Sequence, residues 1–174
     1  LTCNMGELIP IGLFEVLPGD TVQQATGLLI RVPPQLAPVM HAVSVRVHHW
    51  FVPHRLTWDS WEDFITGGPD GMDASVFPTI NMTLSNAAEG QLPDYLGVPV
   101  IVGAGTHPVS ALPFRAYSLI WNEFYRDQDL QTLLTVNTGS GNDTQTNKAT
   151  QNVAWEKDYF TTCRPWTQKG PQVT

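Results

Sequence analysis

The sequence predicts a mainly β, loop-rich fold with two or three short α-helices set into its connections. Three observations predict it. Charged residues make up only 14% of the chain, while Gly and Pro number 14 each, a balance that suits strands and long loops better than a helical bundle. The segment HAVSVRVHHWFV (41–52) reads as one long strand. Its odd-numbered positions from Val43 to Phe51 fall on one face and its even-numbered positions on the other. Both faces carry bulk, so the strand is expected to be covered on both sides. The apolar run at 7–16 is interrupted by Pro10 and Gly12, as edge or bent strands are.

The elements follow in order. ELIPIGLFEV (7–16) holds Pro10 and Gly12, so it reads as an edge or bent strand. Leu17-Pro18-Gly19-Asp20 has Pro at i+1 and Gly at i+2, the type II pattern. TVQQATGLLIRV (21–32) can return as a second extended segment. Pro33, Pro34 and Pro38 then forbid regular structure up to His41. After the long strand, Thr57 is the expected N-cap of a Trp-rich helix. A Leu56–Trp61 staple, Asp59 in the first turn and a Trp58/Trp61/Ile65 face support it, and Gly67-Gly68 stops it. Residues 68–90 read as loop, 94–96 as a helical turn and 98–102 as a short β run. Pro113 opens a second helix, roughly 113–126, with Tyr117, Ile120, Trp121 and Phe124 as its apolar stripe. Residues 130–136 and 153–160 are further strand candidates. The polar stretch 137–152 is expected to be an exposed, mobile loop.

Chemistry is hard to place on this chain. Four of the five histidines lie between His41 and His54, but neighbours His48 and His49 point to opposite faces of a strand and cannot share an ion. No HExxH or Cys/His spacing occurs, so no metal is expected. VPVIVGAG (98–105) resembles a phosphate loop, yet Pro108 stands where the third glycine belongs. Glu62 and Asp63 are adjacent on a helix rather than facing across a cleft. Cys3 and Cys163 have no CxxC partner, and Cys163 has no base near it in sequence. Catalytic residues, cofactors and metal ligands are therefore all expected to be absent. No apolar run approaches the ~20 residues of a membrane span. The net charge of −7 disfavours a free-standing nucleic-acid binder. The remaining signal is aromatic density, including six Trp. It fits either a well-packed core or a subunit interface, where aromatics are enriched.

Four segments, CNMGELIPIGLFEVLPGDT (3–21), APVMHAVSVRVHHWFVPHRLTWDSWEDFITGG (37–68), LPFRAYSLIWNEFYRDQDLQ (112–131) and KDYFTTCRPWTQKGPQV (157–173), resemble the major capsid protein of microviruses, gokushovirus type, in order along nearly the whole chain. The resemblance implies an antiparallel viral jelly roll of eight strands with long insertions. It implies a subunit that self-assembles into a small icosahedral shell around a circular single-stranded DNA genome. Against eight strands the sequence offers five or six candidates, so residues 1–174 are expected to be the N-terminal portion of a single jelly-roll capsid domain with its inter-strand insertions.

The expected function is structural, without enzyme activity. The partners are further copies of the chain, other virion proteins and packaged single-stranded DNA. The location is the virion, assembled in the host bacterial cytoplasm. The alternative is a non-enzymatic β-sandwich binding module that uses exposed aromatics on carbohydrate or a receptor. For DNA contact the sequence favours Arg164, Trp166 and Lys169, which set two cations beside an aromatic in the C-terminal tail.

Overall fold

A computed structural model describes residues 6–23, 25, 47–100, 103–128 and 130–153. Among the described residues, five short strands and three α-helices follow in the order β1 (Glu7–Leu8), α1 (Trp61–Thr66), β2 (Thr79–Met82), α2 (Leu92–Tyr95), β3 (His107–Ser110), α3 (Leu112–Ile120), β4 (Asn142–Asp143) and β5 (Gln151–Asn152). A 3₁₀ turn, His54–Leu56, precedes α1, and a π-helical turn, Trp121–Tyr125, continues α3. Sheets joined by long loops, with a few short helices, are what the composition implied.

β2 is the centre of a three-stranded sheet in the order β3-β2-β4. It pairs antiparallel with β3, Thr79 opposite Ser110, and parallel with β4, Thr79 opposite Asn142. Along β2 the side chains alternate, so Ile80 and Met82 go inward. They meet Ala87, Leu92, Ala111, Phe114 and Tyr117 in one core. Pro108 is tolerated in β3 because that strand is an edge. β1 and β5 form a separate antiparallel pair, with Glu7 opposite Asn152, and the Val153 N–H donates to the Gly6 carbonyl beyond it.

Local signals set several elements where the sequence put them. Gly67, at φ 83°, is the left-handed residue that ends α1, and its N–H donates to the Asp63 carbonyl. Gly19, at φ 88°, closes the 17–20 turn with Asp20 N–H on the Leu17 carbonyl at 3.0 Å. Pro113 lies in the first turn of α3.

Other expectations are corrected. α1 starts at Trp61 behind Ser60, not at Thr57. Thr57 closes the preceding 3₁₀ turn instead: its hydroxyl and its N–H both donate to the His54 carbonyl, each at 2.9 Å. Leu56 and Ile65 are exposed, so of the aromatic face Trp58 alone is fully buried. Residues 130–136 form no strand. The side-chain amide of Asn122 takes the place of a ladder partner, donating to the Leu134 carbonyl at 2.8 Å and accepting from its N–H at 2.9 Å. β2 falls in the stretch read as loop, and β3 in one given no element. Of the 7–16 run, only Glu7 and Leu8 are in a strand. The 137–152 stretch carries β4, β5 and the buried residues Asp143 and Thr146. Residues 47–52, the described half of the expected 41–52 strand, form no strand. The 21–32 segment (but for 21–23 and 25), residues 41–46, 101–102 and 154–160 lie outside the described residues.

Candidate functional site

The best-built polar centre joins α3, the 3₁₀ turn and the 137–146 loop. Arg115 and Asp143 are both completely buried side chains, with Arg115 Nε 2.9 Å from Asp143 Oδ2. The other guanidinium nitrogens donate to the carbonyls of Thr57 (2.8 Å) and Gly139 (2.9 Å). Asp143 also accepts from the N–H groups of Gln145 and Thr146 and from the Thr146 hydroxyl. Burial alone pushes the Asp143 carboxyl up. The bonds from Thr146, Gln145 and Arg115 outweigh it and hold the pKa below the usual carboxylate value. Two further links close the unit. Trp58 Nε1 donates to Ser140 Oγ at 2.9 Å, and the Thr138 hydroxyl donates to Asp59 at 2.7 Å.

This arrangement fastens three parts of the chain and offers nothing to a substrate. Its donors and acceptors are spent on one another, and the carboxylate is kept ionised beside a guanidinium. A second fastening lies at the β1–β5 pair. The Tyr117 hydroxyl donates to the Leu8 carbonyl and accepts from Gln151 N–H. Burial, which outweighs the Gln151 bond, and the negative charge of Glu7 push this phenol up to about 12.

The outward surface is of the opposite kind. Ile11, Leu13, Phe14, Val16 and Leu17 are exposed in succession. Glu15 in that run meets His54 Nε2 at 2.8 Å, and His54 in turn packs on Trp61 with ring centroids 4.2 Å apart. Trp58, Phe64 and Phe77 form an aromatic cluster whose outer members, Phe64 and Phe77, reach the surface. His48 and His49 part to opposite neighbours, His48 to Trp50 and Tyr125, His49 to Phe51. Among the described residues no group of three His, Cys, Asp or Glu side chains could hold a metal ion. An open depression lies between Asp63 and the 67–73 turn, with Asp70 and Asp73 at its rim. Arg164, Trp166 and Lys169 lie outside the described residues.

Apolar surface is thus turned outward over an internally satisfied polar centre. The family described as Capsid protein (F protein) matches residues 1–174. The chain belongs to this capsid protein family. It is 37% identical to Capsid protein VP1 of Bdellovibrio phage phiMH2K over 174 residues, which cover 99% of this chain and 32% of that protein. It is 36% identical to Capsid protein VP1 of Chlamydia phage 1 over 195 residues, again 99% of this chain and 32% of the relative. Capsid protein VP1 of Spiroplasma virus 4 is 30% identical over 186 residues. This capsid-family chain therefore spans about a third of the length of the curated relatives it matches.

Sequence reasoning missed Arg115 and Asp143. One signal could have found them. Arg115 is the lone cation between Leu112 and Tyr125, and Asp143 the lone anion between Asn137 and Asn152. Opposite charges isolated in two otherwise weakly charged segments are candidates for a buried pair.

Proposed function

We propose that this chain is the N-terminal portion of a major capsid subunit that self-assembles into a small icosahedral shell around a circular single-stranded DNA genome. The observation that carries the reading is the match to the capsid family from the first residue to the last. The geometry agrees with it. Polar groups are satisfied inside, while the apolar run from Ile11 to Leu17 faces outward, where a neighbouring copy or the rest of the polypeptide would cover it. In the complete subunit residues 1–174 contribute the first strands and the inter-strand insertions of an antiparallel jelly roll. The subunit resides in the virion, is assembled in the host bacterial cytoplasm and meets other virion proteins there.

Sedimentation of the full-length polypeptide with its virion partners tests this. A uniform shell-sized species is expected. A monomer that binds glycans would instead establish the β-sandwich binding module. The tail residues Arg164, Trp166 and Lys169 are the proposed DNA contacts of this portion. Reversing Arg164 and Lys169 to Glu together is expected to lower packaged-genome content without preventing shell formation. Unchanged DNA content in normal particles would remove the tail from that role.

A further inference from the structure

Three rings near the end of α3 are set as a box. His48 and Trp50 are two residues apart in sequence, on a segment that forms no strand. Their planes lie within 6° of parallel, with centroids 6.4 Å apart. Tyr125 stands at 90° to His48 and 88° to Trp50, with centroids 6.1 and 6.4 Å away. Two parallel walls and a perpendicular ring almost equally far from both make a slot with a floor.

The π-helical turn builds this floor. Arg126 N–H donates to the Trp121 carbonyl at 2.9 Å, the five-residue bond of a π turn. Consecutive residues diverge by about 100° on an α-helix. The wider turn narrows that angle and brings both Phe124 and Tyr125 against Trp50, Phe124 at 3.9 Å. Tyr125 is buried, whereas His48 is exposed and Trp50 is 37% exposed. The floor is thus part of the fold and the walls open to solvent.

We propose that this slot takes an unpaired nucleobase of single-stranded nucleic acid, sandwiched between His48 and Trp50 over the edge of Tyr125. A base stacks at about 3.4 Å per step, so a base between two rings needs walls about 6.8 Å apart. The 6.4 Å between the His48 and Trp50 centroids is the upper bound on the wall spacing, so the exposed His48 moves outward to admit one. An aromatic side chain from a protein prefers offset or edge-to-face contact, which parallel walls serve less well. Charge near the slot is not positive: Arg126 follows the floor, and Glu123 and Asp127 flank it in sequence. No carboxylate occurs between Val47 and Trp58, where Arg55 lies. Recognition therefore comes from stacking, which tolerates any base, and suits a chain of net charge −7. The inference rests on the proposed enclosure of DNA for the source of the base.

The test uses particles of the full-length capsid protein with their packaged DNA. They are irradiated with ultraviolet light, and nucleotide–peptide adducts are mapped by mass spectrometry. Adducts on residues 47–53 are expected in the wild type. His48→Ala should lower their yield roughly tenfold, as loss of one stacking wall implies, and His48→Phe should restore it. DNA-filled wild-type particles without an adduct on 47–53 would overturn the slot, whatever the variants do. So would an unchanged yield in His48→Ala, or a cross-link from this segment to another polypeptide in place of DNA. Because scoring is done on assembled shells, each of these failures leaves the capsid reading standing, and failure to form shells would strike that reading instead.

Discussion

The 137–146 loop and the 9–17 run invert the usual placement of polar and apolar sequence. The first is almost wholly polar, yet Asp143 and Thr146 are buried. The second is almost wholly apolar, yet Leu13, Phe14 and Leu17 are each more than half exposed. The difference lies in what completes each segment. Asp143 finds four donors and Arg115 three acceptors within reach, so nothing charged or polar is left bare. Within the apolar run Glu15 meets His54 at 2.8 Å, while the apolar side chains around it stay exposed. Among the described residues one region is completed by its own contacts, and the other is left uncovered.

Breaking the buried pair separates the two regions most sharply. Arg115→Ala or Asp143→Asn is expected to cost roughly 3–5 kcal/mol, because the partner is left buried without its complement. Urea unfolding of the full-length polypeptide measures this. Replacing both with apolar residues of similar volume should cost clearly less than either single change. The acid dependence has a definite sign. Asp143 has a depressed folded pKa, so its contribution is present above the ordinary carboxylate value and disappears as pH falls through the folded one.

Trp58→Ala comes next, at about 3–5 kcal/mol for a fully buried indole, with loss of its bond to Ser140. Trp61→Ala should cost less, since Trp61 is only partly buried. Equal losses in the two variants would put the anchor of α1 in the wrong place.

Tyr117 gives a smaller, pH-confined effect. Its phenol titrates near 12 when folded and 10 when unfolded. Stability is therefore unaffected below pH 10 and falls as pH rises from there towards 12, by up to roughly 3 kcal/mol. Alkaline unfolding should begin later in Tyr117→Phe relative to its own neutral stability. At the exposed end of the comparison, Glu15→Gln should change stability by no more than about 0.5 kcal/mol. A larger loss would mean that the apolar run is held by the chain rather than left for a neighbour.

What was legible in the sequence was local. Gly67 as a stop, the 17–20 turn and Pro113 at the head of α3 rest on single-residue backbone preferences, and each stands where expected. The apolar stripe of α3 was legible too, because Tyr117 and Trp121 repeat at helical spacing and are buried. What was not legible depends on distant partners. The Arg115 bond to the Thr57 carbonyl, across 58 residues, left no local trace. Residues 130–136 have strand composition, but a side-chain amide occupies the backbone groups a ladder would need. Strands β1, β4 and β5 are two residues each, too short for alternation to register. The same holds for the site. The His48–Trp50 spacing is visible in sequence, whereas the perpendicular Tyr125 depends on a π turn that no local pattern announced.

The β1–β5 pairing has a consequence for biosynthesis. Glu7 and Leu8 can settle only when Gln151 and Asn152 have been made, and the Arg115 clamp waits for Asp143. Contacts of such high sequence separation fold slowly. At about 5–20 residues per second on the ribosome, Glu7 and Leu8 spend roughly 7–30 seconds without their native partners. A nascent chain in that state is a client for chaperones, and the rate at which a host supplies them would set the yield of folded subunits before any shell begins to close.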